Sequence, residues 1–263
     1  MLPVVAPVRC KEADFLLFST SDLISRHLRQ KGEWEPYILR MSEFMLGDMQ
    51  APLVLDIGAN LGAYSVPMAK FVQARKGSVL ALEPQRIIYY QLCGNVFLNR
   101  LDNVVALHMA AGATTGTIDI PLVDYAVNPN IGAFSLTPEF RPPYTRGAIS
   151  QAASEKVPIT ALDDLATPRT VSLIKLDVEG HENEVLRGGQ DFLRRHGFPP
   201  IIFEMWDFPW FAEGRAELTR SFADLGYHCT AISATDYVAQ HADARNPVRF
   251  RREGDRLIAD RSA

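Results

Sequence analysis

Cysteine is scarce: Cys10, Cys93 and Cys229 are the three in 263 residues. They are too few and too far apart for a disulfide framework or a cysteine metal knuckle, and they fit a reducing compartment. Basic excess is absent too. Lys and Arg number 27 against 31 Asp and Glu, a net charge of −4, which disfavours a nucleic-acid partner. The C-terminal arginines Arg245, Arg249, Arg251, Arg252 and Arg256 are interrupted by Glu253 and Asp255, so they read as a solvated face. No run of about eighteen apolar residues exists, so no membrane span is expected. The start, MLPVVAPVRCKEADF, has neither the basic opening nor the apolar core of a secretory leader. The expectation is a soluble cytoplasmic protein. Also missing is G-x-G-x-x-G, the turn that seats a pyrophosphate on a helix N-terminus.

What is present is LVLDIGANLGAYS at 53–65. Four apolar residues and an acid run into a glycine turn and then a helix start, as a buried parallel strand does. Gly58 and Gly62 let the backbone bend sharply and approach a ligand. Asp56 stands at the carboxyl end of the strand, where open α/β sheets bind their ligands. The spacing Gly58, Asn60, Gly62 behind an acid repels a phosphate but suits an ammonium. S-adenosylmethionine carries an ammonium and a sulfonium and no phosphate. The second strand, SVLALEP (78–84), ends in Glu83, 25 residues past Gly58. That is close to the roughly 20-residue offset at which an acid meets a ribose diol. Ala110, Ala111 and Gly112 close the next strand with small residues and leave room for an adenine.

With 47% hydrophobic residues the chain can bury one α/β core and still carry additions. Residues 14–50 read as a helical cap, broken at KGEWEPY (31–37), whose Glu33, Trp34 and Glu35 either cover a sheet edge or close over a ligand. Helices are expected at 62–73, with Pro67 tolerated in the first turn, and at 87–101. Strands are expected at 103–111 and 115–123. The stretch 124–157, rich in Pro, Asn, Gly and Ser, reads as an irregular insertion or lid, with Asn130, Gly132 and Ser135 facing the substrate. A short helix (159–166), a strand (172–178), a helix (181–196), a strand (199–206), a helix (211–225) and a hairpin (228–233, 236–241) follow. The expected domain covers 51–245, preceded by the cap at 1–50 and followed by a tail at 246–263. Strand–helix alternation predicts an α/β fold: one Rossmann-like, mixed but mostly parallel seven-stranded sheet, helices on both faces, and a terminal β-hairpin.

A second cluster lies in LIKLDVEGHENEVLRGG (173–189), where Asp177, Glu179, His181 and Glu182 crowd a strand end. Glu204 ends the next strand, with Asp207 beyond it. Adjacent parallel strand ends share one crevice, so Asp177 and Glu204 should face the same cavity as Asp56 and Glu83. Together DIGANLGAYS, ALEP, LIKLDVEGHENEVLRG and IIFEMW resemble the successive motifs of the FkbM family of S-adenosylmethionine-dependent methyltransferases, over about residues 22–240. GEWE and LDDL fall in step with them. The resemblance implies that Asp56, Gly58, Asn60, Gly62 and Glu83, flanked by Tyr64, Ser65, Pro84, Ala111 and Asp177, hold the cofactor. It implies oxygen methylation of a sugar or natural product, a small-molecule acceptor. An N-methyltransferase acting on an amine or a peptide is the alternative, and a homodimer is left open.

Methyl transfer to a hydroxyl needs alignment and removal of a proton. His181, in the first turn of a helix where the dipole disfavours imidazolium, is the expected base. Asp177, Glu179 or Glu204 would orient it. The other version places Mg²⁺ on Asp177 and Glu204, with Glu179 or Asp207, to acidify the hydroxyl. Trp206, Phe208, Trp210 and Phe211 read as an acceptor platform or as packing for the last helix.

Overall fold

The computed structural model describes residues 3–127, 130–141, 143, 146–244, 247–253 and 256–261. It opens not with a helix but with an antiparallel hairpin, β1 (Val5–Arg9) and β2 (Asp14–Phe18). Residues 14–18 depart from the expected helix because α4 (Arg86–Leu98) offers side-chain amides to an extended backbone. Asn95 Oδ1 accepts the Leu16 N–H at 2.6 Å, and Gln91 Nε2 donates to the Leu16 carbonyl at 2.7 Å. Asn99, just past the helix, holds Asp14 in the same two-way fashion, at 3.0 and 2.6 Å. Phe15 and Leu17 are thereby buried. The rest of the cap is helical: α1 (Leu23–Lys31), capped by Asp22 and stopped at left-handed Gly32, and α2 (Pro36–Leu46), with Pro36 at its first position.

Seven strands build the central sheet: β3 (Leu53–Ile57), β4 (Ser78–Leu82), β5 (Val104–Leu107), β9 (Val171–Leu176), β10 (Ile201–Glu204), β11 (Tyr227–Ala231) and β12 (Asp236–His241). Their order is β11–β12–β10–β9–β3–β4–β5, parallel from β5 to β10, with β12 antiparallel to both its neighbours. Alternate residues serve two cores. Val54, Val79, Leu173 and Ile202 join one face, with α1, α2, α4 and α3 (Ser65–Gln73); Leu55, Leu80, Ile174 and Phe203 join the other. There they meet α5 (Glu182–Arg187), α6 (Gln190–Arg195) and α7 (Ala212–Asp224). Burial on both faces explains why the strands are apolar throughout rather than alternating.

Several boundaries differ from the sequence expectation. The strand read at 103–111 breaks after Leu107, and Ala110–Ala111 (β6) leaves the main sheet. It joins β7 (Gly116–Val123) and β8 (Ile149–Thr160) in a three-stranded sheet of order β6–β8–β7. The expected irregular region is therefore extended strand from Ile149 onward, paired antiparallel with β7. The helix expected at 159–166 is one 3-10 turn, Leu162–Asp164. The helix expected at 181–196 divides into α5 and α6 at Gly188–Gly189, because Gly188 presses on the Gly112 carbonyl, where a β-carbon would collide. The C-terminal stretch is a hairpin, β13 (Val248–Glu253) with β14 (Arg256–Arg261). Gln240 exchanges two hydrogen bonds with the Val248 backbone, and Arg261 donates to the Phe44 carbonyl. Arg251 faces Asp260 and Glu253, as a solvated arginine should; Arg245 and Asp255 lie outside the described residues. Among the described residues no helix is long and apolar enough to cross a membrane.

Candidate active site

At the carboxyl ends of β3, β4, β9 and β10 lies a cavity of about 310 Å³. Its first half is built on the turn after β3. Gly58 has φ +84°, and a β-carbon there would collide with the Asp177 carbonyl, so the turn and the end of β9 touch backbone to backbone. The Gly58 and Ala59 amides donate to the Leu82 carbonyl at 3.0 and 2.9 Å, tying the same turn to β4. Asn60 is left-handed, and its amide donates to Glu83 Oε2 at 2.9 Å. Glu83 Oε1 accepts the Gln85 amide at 2.7 Å. The acid is 3% exposed and lines the cavity, and burial raises its pKa to about 8 despite the two donors. Pro84, Ala110 and Ala111 continue the wall beside it.

Gly58→Ala is accordingly expected to be destabilising. The left-handed penalty alone is about 1–2 kcal/mol, and the collision adds to it by pushing β9 from β3. A fall in melting temperature of at least about 5 °C checks this; an unchanged melting curve would contradict the described turn.

Not every residue expected at the cofactor end reaches the cavity. Gly58, Asn60, Tyr64, Glu83, Pro84, Ala111 and Asp177 line it, whereas Asp56, Gly62 and Ser65 stand behind the wall. Gly62 is there for packing, since a β-carbon would lie 2.8 Å from Leu92. Asp56 is fully buried; one oxygen accepts the Ser65 hydroxyl and the other has no hydrogen-bond partner among the described residues. Burial raises the Asp56 pKa, and the neighbouring Lys175 ammonium opposes the rise. Lys175, opposite Asp56 in the β3–β9 register, is the residue that sequence reasoning passed over. Its Nζ donates to Asp177 Oδ2 at 2.8 Å and lies 5.7 Å from the Tyr64 ring centroid. Burial disfavours the ammonium, but Asp177, Asp56 and Glu35 outweigh it and hold the pKa above that of an ordinary lysine. A lysine inside SLIKLDV, an otherwise buried parallel strand, was the available signal. Asp56 thus faces Lys175 and Ser65 and does not line the cavity.

The second half of the cavity is carboxylates. Asp177, Glu179 and Glu204 bring oxygens within 4.8 Å of one another, and Glu35 and Asp236 stand beside them. Asp236 pairs with Glu204 in the β10–β12 register and accepts the Tyr37 hydroxyl at 2.5 Å. Burial pushes Glu35 up to about 7, and burial with the Asp177 charge raises Glu204 and Glu179 well above the usual carboxylate range. Trp206 Nε1 donates to Glu204 Oε2 at 2.9 Å and fixes that side chain. Trp34 and Glu35 line the cavity, so the break between α1 and α2 closes over it; Glu33 instead meets Lys11 at 2.7 Å on the surface. Asp177, Glu179 and Glu204 offer three oxygen donors to a hard cation, but the Lys175 ammonium already occupies Asp177. The cluster therefore carries its own positive charge, and the residues fit an internal ion pair better than Mg²⁺. Asp207 pairs with Arg215 on the surface.

His181 lines the cavity, and burial lowers its pKa. Its Nε2 accepts the Thr137 backbone N–H at 3.1 Å, so the neutral ring carries its proton on Nδ1. Trp206, Phe208, Trp210 and Phe211 are not among the cavity-lining residues; Trp206, Trp210 and Phe211 surround Phe140, and Phe208 stacks on Trp210. The expected acceptor platform is thus a clasp on the 130–141 segment. From that segment Asn130 and Gly132 reach the cavity, while Ser135 is fully buried beside it.

Sheet order, terminal hairpin and strand-end cavity are those of a Rossmann-like methyltransferase fold. Residues 56–229 match the Methyltransferase FkbM domain, and the chain belongs to that family. The curated protein "Methyltransferase sdnD" of Sordaria araneosa is 31% identical over 163 residues, 52% of this chain and 60% of that protein's length. The crystal structure of methyltransferase FkbM from Methylobacillus flagellatus is 16% identical with a TM-score of 0.48, over 72% of this chain and 43% of that one. TYW2 of M. jannaschii, solved with AdoMet, is 12% identical with a TM-score of 0.44, over 91% of this chain and 84% of that one. The chain thus spans less than two thirds of the first two relatives' lengths.

Proposed function

We propose that the protein is an S-adenosylmethionine-dependent methyltransferase that methylates a hydroxyl of a sugar or natural-product small molecule. The observation that carries the reading is Glu83: a buried carboxylate held by the Asn60 and Gln85 amides of two adjoining strand ends, facing a cavity with carboxylates at its far side. Family membership supports it, and the sdnD relative is itself named a methyltransferase.

The donor set fits the cofactor. Glu83 can accept from both ribose hydroxyls, Ala110 and Ala111 leave a flat slot, and the Gly58 turn admits close backbone approach. In this reading Asp177 takes the ammonium with Oδ1, since Lys175 holds Oδ2. The cofactor supplies an electrophilic methyl group on a sulfonium. The chain's own task is to align the acceptor and hold its proton. A cavity half made of Glu35, Asp177, Glu179, Glu204 and Asp236 repels anionic acceptors and offers acceptors to hydroxyl groups. Glu204, oriented by Trp206 and raised toward neutrality, is the proton acceptor in this reading, as a base whose pKa lies near working pH should be. Departure of a neutral thioether requires no acid.

Methyl-labelled S-adenosylmethionine, offered with neutral polyols, amines and carboxylated acceptors, tests the reading. The expected result is label in hydroxyl-bearing neutral acceptors together with adenosylhomocysteine. Absence of cofactor binding by calorimetry would defeat it, and label confined to amines would defeat the oxygen assignment.

A further inference from the structure

Residues 130–141 lie across the cavity and are tied to the body at both ends. On the cofactor side the Ile131 amide donates to Asp22 Oδ1 at 3.1 Å, and Gln85 Nε2 donates to the Ile131 carbonyl at 3.4 Å. Asp22 is buried and also caps α1 through Ser25, so this end is firmly held. Gly132 rests on the glycine turn itself: a β-carbon there would stand 3.3 Å from Asn60 Nδ2 and 3.1 Å from Ile24. Within the segment, buried Arg141 donates to the Ser135 carbonyl at 2.7 Å and the Leu136 carbonyl at 3.1 Å, with its guanidinium over the Phe134 ring. These bonds make the segment one body rather than a loose loop. On the acceptor side Phe140 is clasped by Trp206, Trp210 and Phe211, and the Thr137 amide reaches His181 Nε2. That amide also lies 3.3 Å from Ser135 Oγ, within the segment, and Thr137 Oγ1 lies 3.1 Å from the same imidazole nitrogen.

Gly132 packs against the Asn60 side chain, so the segment forms part of the wall over the glycine turn, and lifting it would widen the way to a ligand seated there. The nitrogen with which His181 would take a substrate proton is the one that holds the segment down. We propose that His181 is the latch of a lid formed by residues 130–141: a positioning residue that governs ligand residence through Thr137, not the proton acceptor of the reaction. The ligand part of this inference rests on the methyltransferase reading; the latch itself does not.

The two roles separate on substitution. In His181→Gln the side-chain oxygen can still accept the Thr137 N–H, but an amide is no base. His181→Ala removes both. Thr137→Pro deletes the donor from the lid side, at a residue whose φ of −81° suits proline. Loss of one hydrogen bond corresponds to about a two- to tenfold change. Hydrogen exchange at the Thr137 amide in the ligand-free protein should therefore speed up by that factor in His181→Ala and return toward the native rate in His181→Gln. Adenosylhomocysteine release, by stopped flow, should rise equally in His181→Ala and Thr137→Pro and be restored in His181→Gln. If Thr137 exchange follows this order while no variant, nor the native chain, binds adenosylhomocysteine, the latch stands and the methyltransferase reading falls. If release stays within twofold of native in both His181→Ala and Thr137→Pro, or Thr137 amide exchange stays within twofold of native in His181→Ala, or His181→Gln loses turnover as fully as His181→Ala with exchange unchanged, the latch is overturned.

Discussion

Replacing Glu83 by alanine should weaken adenosylhomocysteine binding by about 100-fold or more. Each hydrogen bond from a ribose hydroxyl to a buried carboxylate is worth about 1.5–3 kcal/mol, and this acid can accept two. The substitution also strands the Asn60 and Gln85 amides, both of which end on the same carboxyl group. Glu83→Gln should fall between the two, since its amide nitrogen must face one of those backbone donors. The pH dependence has a definite sign. Burial raises the Glu83 pKa from an ordinary 4.5 to about 8, so the folded state favours the protonated form. That group's contribution to stability is full below about pH 4.5 and is lost as pH rises through about 8. Ligand hydroxyls reward the ionised form, so native affinity should tighten as pH rises through that range, and the alanine variant should show no such rise. Titration calorimetry well below the melting temperature measures both. Affinity within threefold of native in Glu83→Ala would remove the cofactor assignment.

The arrangement of the turn after β3 and of Glu83 was legible because its logic is local. Gly58, Asn60 and Gly62 announce left-handed backbone within five residues, and Glu83 follows at the offset set by one helix and one strand. The acidic cluster could also be read, since Asp177 and Glu204 each end an apolar run. The role of Asp56 could not. Whether it faces a ligand or a lysine depends on the register that sets Lys175 opposite it, and neither local sequence contains that register. Residues 14–18 fail for a related reason: a short apolar run suits helix or strand, and the choice is made by Asn95, Gln91 and Asn99 on a distant helix. The same holds for Ile149–Thr160, where pairing with β7 stabilises a segment of weak intrinsic preference. Thr137 gives no sign in sequence of meeting His181, 44 positions away.

Glu204→Gln should lower turnover by about 10²–10⁴-fold with little change in adenosylhomocysteine affinity. Glutamine keeps the volume and can keep the Trp206 indole bond, so the cavity should survive while the proton acceptor is lost. Asp177 cannot readily substitute, because its carboxylate is paired with Lys175 at 2.8 Å. Burial, with the Asp177 charge, raises the Glu204 pKa far above the carboxylate range, so much of the free enzyme is protonated at this group in mildly acid solution. Native kcat/KM should therefore climb with pH through about 8 and level off above it once Glu204 has ionised, and the variant should lose that limb. The sign separates two accounts of the same acids. If the cluster served only to attract a cationic acceptor, the variant would raise KM and leave kcat and the pH limb of kcat in place. A drop confined to kcat, together with loss of the limb, assigns the proton to Glu204. Turnover within threefold of native would take the base away from this residue and pass it to Glu179, whose pKa the same burial and the same Asp177 charge raise.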